Sequence, residues 1–299
     1  MMTYEQFLNE VPTYLSGRFP ADTQIRIRTV LKNNDRKLDG LVICEPGNTI
    51  SPTIYLNGFY RRIEEGEASF CDVMDDVVML YENNRPAKDL DVDFFSDYSR
   101  VKPRIIYKVV SKSRNKELLE TVPHLDYLDL AVVFLCLFDQ KEKETATILL
   151  HNSHLKLWKV TVEELWKAAS VNTPRLMPYV IQPMGDVLAE MMGIPVDEEL
   201  LEVLKLQRLY IVSNVPRVHG ATTMLYPNML SEFAKCMQSD FFILPSSIHE
   251  LILFPAEDKS DYAGLMELVQ QVNATEVSPE DILSDHPYYY CRETGEIIY

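Results

Sequence analysis

Glycine is scarce in this chain, with ten in 299 residues. No two are spaced as GxG, and none precedes a Lys-Ser or Lys-Thr pair. Loops that cradle phosphates need such glycines, so neither a P-loop nor a dinucleotide-binding turn is present. The GxSxG elbow, the HExxH zinc motif and the EF-hand loop are missing as well. No cofactor is expected from these absences. Cysteine is sparse, at five residues, with an odd count, wide spacings and no CxxC. That usage fits reduced, mostly buried thiols rather than a disulfide framework. Long apolar runs are missing too. The longest, "LAVVFLCLF", reaches about half a membrane span. The opening "MMTYEQFLNE" carries acids and no apolar core, so it does not read as a signal peptide. A cytoplasmic protein with no membrane association is the expectation.

Positive charge is also in short supply. Lys and Arg number 29 against 45 Asp and Glu, for a net charge of -16. Residues 231–299 hold 13 acids and 3 bases, and so contribute -10 of that total. Such a surface repels a phosphate backbone, which argues against direct nucleic-acid binding. Its plain reading is a solvated face that aids solubility.

What is present reads as α+β, with antiparallel or mixed sheets and helices on one face, in two or three consecutive subdomains. An N-terminal portion over 1–100 opens on a helix with a Thr3/Gln6 capping box and an apolar face of Phe7, Leu8, Val11 and Leu15. Pro12 is expected to kink that helix or end it early. Alternating residues around Ile25 and Ile27 and the turn "NND" predict a hairpin, with "ISPTIYL" as a third strand. A middle portion over 101–182 has strands "RIIYKVV", "DLAVVFLCLF" and "ATILLH", then a helix capped by Thr161 and Glu164. A helical connector over 183–206 contains "MGDVLAEMMG" and "DEELLEVLKLQ". The portion over 207–299 reads ββαββα with a closing hairpin, and "ATTMLYP" is taken as one of its strands.

Three polar segments hold the candidate site residues. "FFILPSSIHELILFP" places Ser246, Ser247, His249 and Glu250 within five positions, the residue types of a Ser–His–acid hydrolase. Neighbours on extended backbone point to opposite faces, however, and the flanks look like paired core strands. The segment therefore reads first as a polar loop, with catalysis as the alternative. "LLHNSHLKLW" offers His151 and His154 as two metal ligands, but a third would have to converge. It reads first as a strand-to-helix junction in which Asn152 or Ser153 caps and His154 packs. "LSDHPYYYC" sets Asp285 beside His286 and Tyr288. An Asp–His pair can tune an imidazole, and exposed tyrosines can form a contact surface. Asn152, His154, Asp285, His286 and Tyr288 are the candidate ligand or partner contacts.

Taken in order, "VLKNNDRKLDGL", "ISPTIYLN", "VDFF", "ATILLHNSHLKLW", "NTPRLMP", "FFILPSSIHELILFP" and "VSPEDILSDHPYYY" resemble domain-of-unknown-function family 5688, an uncharacterised bacterial family of gut Firmicutes. The resemblance spans nearly the whole chain. It implies a bacterial cytosolic protein in which Ser246, Ser247, His249, Asn152 and His154 lie in family motif segments. It assigns no activity and no catalytic residue. Pro12 departs from the uninterrupted first helix expected of the family. The leading functional expectation is a non-enzymatic binding or regulatory protein that acts on an unknown protein partner. The alternatives are a hydrolase-like enzyme using the Ser/His/acid cluster and an acidic inhibitor that mimics DNA.

Overall fold

The structure is a computed structural model and describes residues 2–46, 51–84, 93–141, 144–192, 208–256 and 260–299. The predicted helix "DEELLEVLKLQ" lies outside them. The architecture is α+β, with three antiparallel sheets. The chain divides into two compact units, Met1–Lys32 with Arg36–Ser96, and Asn33–Asp35 with Asp97–Tyr299.

The first unit is a three-stranded sheet in the order β1 (Gln24–Leu31), β2 (Lys37–Cys44), β3 (Thr53–Tyr55). Helices Tyr4–Ser16, Asn57–Glu64 and Phe70–Asn83 complete it. The Thr3/Gln6 capping box forms as expected. The first helix does not end at Pro12 but runs on to Ser16. Proline costs a helix interior about 3 kcal/mol. Phe7, Val11 and Leu15 are each fully buried along one face, and burying such a side chain is worth about 1.5–3 kcal/mol. Three of them outweigh the proline.

The second unit carries a four-stranded sheet, in which β6 (Leu130–Lys141) pairs with β4 (Ile105–Ser111) on one side and with β5 (His124–Tyr127) and β7 (Glu144–Leu149) on the other. Every residue of β4 except Lys108 is buried, which explains its continuous apolar run. Its outer edge is closed by side chains. Thr173 Oγ1 accepts from Tyr107 N–H at 3.1 Å, Thr222 Oγ1 accepts from Val109 N–H at 3.2 Å, and Asn172 Nδ2 donates to Ile105 O at 3.0 Å. Asn172 and Thr173 belong to "NTPRLMP", so that motif is an edge cap.

The six-stranded sheet runs β13 (Glu296–Ile298), β12 (Tyr288–Cys291), β10 (Asp240–Leu244), β11 (Leu251–Ala256), β9 (Tyr210–Asn214), β8 (Tyr179–Pro183). "ATTMLYP" is not a strand but a 3-10 helix over Gly220–Leu225. Its β-branched threonines suggest a strand, but tertiary demands override that preference. Thr222 is committed to β4, and Gly220 lies hard against β9 and its neighbouring loop. A Cβ there would stand 2.1 Å from Ser213 Oγ and 2.3 Å from His249 O. Strands β5 and β8 were not anticipated from the sequence.

Candidate functional site

The residues after β4 turn into the short helix Lys116–Thr121, pass into β5, and reverse into β6. This stretch folds around a cavity of about 590 Å³ lined by Lys112, Ser113, Lys116, Leu119, Glu120, His124 and Asp129. That size suits a small-molecule site. The helix is fixed by Asp35, whose two carboxylate oxygens accept from Glu117 N–H at 2.8 Å and Leu118 N–H at 2.9 Å. Asn34 and Asn115 exchange two further bonds, at 2.7 and 2.9 Å. The "NND" turn can do this because Asn34 and Asp35 both take positive φ, 58° and 50°, which short polar side chains tolerate. Leu128 also has a positive φ, 55°, in the two-residue turn between β5 and β6. Leucine in that conformation costs about 1–2 kcal/mol, and the turn holds Asp129 at the cavity wall.

Asp129 is the most heavily bonded carboxylate here. Its Oδ1 accepts from Tyr288 Oη at 2.7 Å, and its Oδ2 from Ser284 Oγ at 2.9 Å. His286 Nε2 lies 3.2 Å from Oδ2. Burial pushes the Asp129 carboxyl up, but the bonds from His286, Tyr288 and Ser284 prevail and hold it below the usual range. His286 is raised by its bond to Asp129, against the opposing effect of burial. Its Nδ1 faces Pro287 O at 3.2 Å. A carbonyl and a carboxylate can only accept, so these neighbours favour the protonated ring. The ring stacks on Tyr299 at 5.2 Å with an 11° interplanar angle. Next to it, Arg114 Nη2 holds both oxygens of Asp285, at 2.9 and 2.7 Å, and Asn273 Nδ2 donates to Oδ1 at 3.1 Å.

The candidates from "LSDHPYYYC" therefore gather in one network. Asp285 pairs with Arg114, while His286 and Tyr288 converge on Asp129. Tyr288 is fully buried, so it faces this network and not a partner. Tyr289 and Tyr290 are buried too, at 4% and 5% exposure. The aromatic run packs inward.

The "PSSIHE" residues are placed differently. Ser247 Oγ accepts from the backbone N–H of His249 at 3.0 Å, and Ser246 Oγ donates to Glu250 Oε1 at 3.4 Å. His249 Nδ1 accepts from His219 N–H at 3.3 Å, and its Nε2 lies 3.4 Å from Asp281 Oδ1. Nδ1 is thus the accepting nitrogen, and Nε2 is the one turned to the carboxylate. Both nitrogens are engaged away from the serines, so the triad relay is not assembled. In "HNSH", His154 Nδ1 accepts from His151 N–H at 2.9 Å, which caps the helix Asn152–Trp158, and the His154 ring stacks on Trp158. Burial lowers the His154 pKa, and nearby His151 lowers it further. Asn152 Nδ2 donates to Glu120 O at 3.2 Å, on the helix that lines the cavity. Neither His249 nor the His151/His154 pair lines that cavity. Among the described residues, no group of three or more His, Cys, Asp or Glu side chains could hold a metal ion.

Lys112, Lys116, His124 and Asp129 lie outside the three polar segments, although one signal bears on them. Residues 108–116, "KVVSKSRNK", hold four cations and no acid in a chain of net charge -16.

An α+β protein with an open cavity beside β5 and the Lys116–Thr121 helix is the class these features define. The chain matches the model of a family of unknown function, DUF5688, over residues 4–292, and belongs to that family. No curated protein and no solved structure matches it. Among the described residues, no helix is long and apolar enough to cross a membrane.

Proposed function

We propose that this is a non-enzymatic binding or regulatory protein, with the Lys112–Asp129 cavity as its ligand site and contacts to a protein partner as its output. The observation that carries the reading is the state of the histidines. His249 and His286 each have both ring nitrogens committed to fixed neighbours. Neither holds a nucleophile, as acyl transfer would need. The cavity, by contrast, is open, and its surface is mainly apolar. Lys116→Glu tests the proposal by affinity capture from the native host, beside the wild-type protein. A partner captured by the wild type should be lost from the variant while its circular dichroism spectrum is unchanged. Equal capture by both proteins overturns the cavity as the site.

A further inference from the structure

A second cavity, of about 270 Å³, takes its walls from β5, from β12 and from the start of the helix Met229–Met237. Its exposed surface is mainly polar. Three of its lining residues, Asn228, Leu230 and Ser231, are the cap and the second and third residues of that nine-residue helix. A helix start leaves its first N–H groups without intrahelical acceptors. A cap residue normally takes one of them with its side chain. Asn228 does not, because its φ is 64° and its side chain makes no capping bond. Met229 N–H is met by Tyr226 O at 3.3 Å. Among the described residues, nothing accepts from the Leu230 or Ser231 N–H.

The tyrosines of the cavity add hydroxyl groups. Tyr290 is 5% exposed, and its ring is held by stacking on Phe241 at 4.9 Å. Its hydroxyl, the only polar atom of the side chain, lies 3.8 Å from where a Cβ on Gly295 would stand, and Gly295 also lines the cavity. Among the described residues, this hydroxyl has no hydrogen-bond partner, and neither has that of Tyr127 on β5. Burial pushes both phenols up, so both keep their protons and can donate at neutral pH. Tyr226 Oη is already spent on Met177 O, at 2.8 Å.

This set discriminates between ligand classes. Backbone N–H groups can only donate, so the group that meets them must accept. The positive end of the helix dipole disfavours a cation. A dianion would want Lys or Arg, and among the described residues no charged side chain lines the cavity. It would also meet the field of a chain of net charge -16. A neutral amide would take the hydrogen bonds and leave the dipole unanswered. One negative charge shared by two oxygens answers both. The volume lies just below the usual small-molecule range, which suits a body of a few carbons.

We infer that this cavity binds the carboxylate of a small organic acid, on the Leu230 and Ser231 N–H groups and the Tyr290 hydroxyl. Neither Lys112 nor Lys116 lines it, so this site stands or falls apart from the Lys112–Asp129 cavity.

The test uses the full chain and three probes: propionate, propionamide and inorganic phosphate. Binding is read from shifts of the backbone amide resonances of residues 228–232. Propionate should saturate, and propionamide and phosphate should each bind at least about tenfold more weakly. Tyr290→Phe keeps the ring on Phe241 and should weaken propionate about tenfold. Asn228→Asp sets a competing negative charge at the helix start and should close the gap between propionate and propionamide. Asn228 is exposed, and Asp tolerates its positive φ, so this variant decides even if Tyr290→Phe does not fold. Equal binding of propionate and propionamide by the wild type overturns the inference. So do tighter binding of phosphate, wild-type propionate binding by either folded variant, and the absence of saturable shifts with propionate at about ten millimolar.

Discussion

Two histidines in the second unit stand beside an aspartate, with different results. His249 Nε2 is 3.4 Å from Asp281, and His286 Nε2 is 3.2 Å from Asp129. The residue types and distances are nearly the same. What differs is the atom opposite the second nitrogen. His249 Nδ1 meets a backbone N–H, so it must offer a lone pair. His286 Nδ1 meets a carbonyl, so it must offer a proton. Beside the second aspartate the surroundings favour the protonated ring. The third neighbour thus sets what each Asp–His pair asks of its imidazole.

The most severe break on the His249 side is Gly220→Ala. Its methyl group would collide with Ser213 Oγ and with the His249 carbonyl, and Ser213 Oγ itself donates to that carbonyl at 2.7 Å. Backbone cannot yield as a flexible side chain does. A loss of about 3 kcal/mol is expected by denaturant unfolding. On the His286 side, Asp129→Ala leaves the His286 Nε2, the Ser284 hydroxyl and the buried Tyr288 hydroxyl without their acceptor. A loss of about 3 kcal/mol is expected here as well, because a broken half-buried pair leaves an uncompensated charge.

The dependence on pH sharpens the contrast. The folded His286 holds its proton more tightly than the unfolded chain, so its contribution is complete below about pH 6.5 and fades as pH rises through the raised folded value. Asp129 is lowered, so its contribution is present above about pH 3.9 and fades as pH falls through the lowered folded value. The melting temperature of the wild type should decline on the alkaline side. Asp129→Asn should flatten that decline. A direct check is the nitrogen-15 spectrum across a pH series, in which the His286 ring should lose its proton above about pH 6.5, the value of an unperturbed imidazole. The smallest effect belongs to Ser247→Ala. It removes one loop hydrogen bond, at 3.0 Å to His249 N–H, and should cost about 1 kcal/mol or less.

Much of the fold was legible because period and capping agree. The Thr3/Gln6 and Thr161/Glu164 boxes form as read, and so does the hairpin around "NND". Where the reading failed, a distant contact decided. The helix passes Pro12 because its buried face outweighs the lost bond. Thr222 and Thr223 leave a strand because Gly220 cannot move away from Ser213 and His249. The site was less legible. "LSDHPYYYC" stood out as polar and aromatic, but its partners Asp129, Arg114 and Asn273 are brought to it only by the tertiary fold. Asp129 lies 155 residues from Ser284. No local pattern marks Asp129 as the common acceptor of Ser284, His286 and Tyr288.

The capped edge of β4 has a consequence for how this protein behaves in a crowded solution. An open strand edge is a template on which a second chain can add. Here Tyr107 and Val109 have already spent their donors on Thr173 and Thr222, so an approaching strand finds no vacancy. The longest apolar run of the sequence, in β6, lies behind that guard. The threonines of "NTPRLMP" and "ATTMLYP" thus deny an incoming strand both of those donors at this edge.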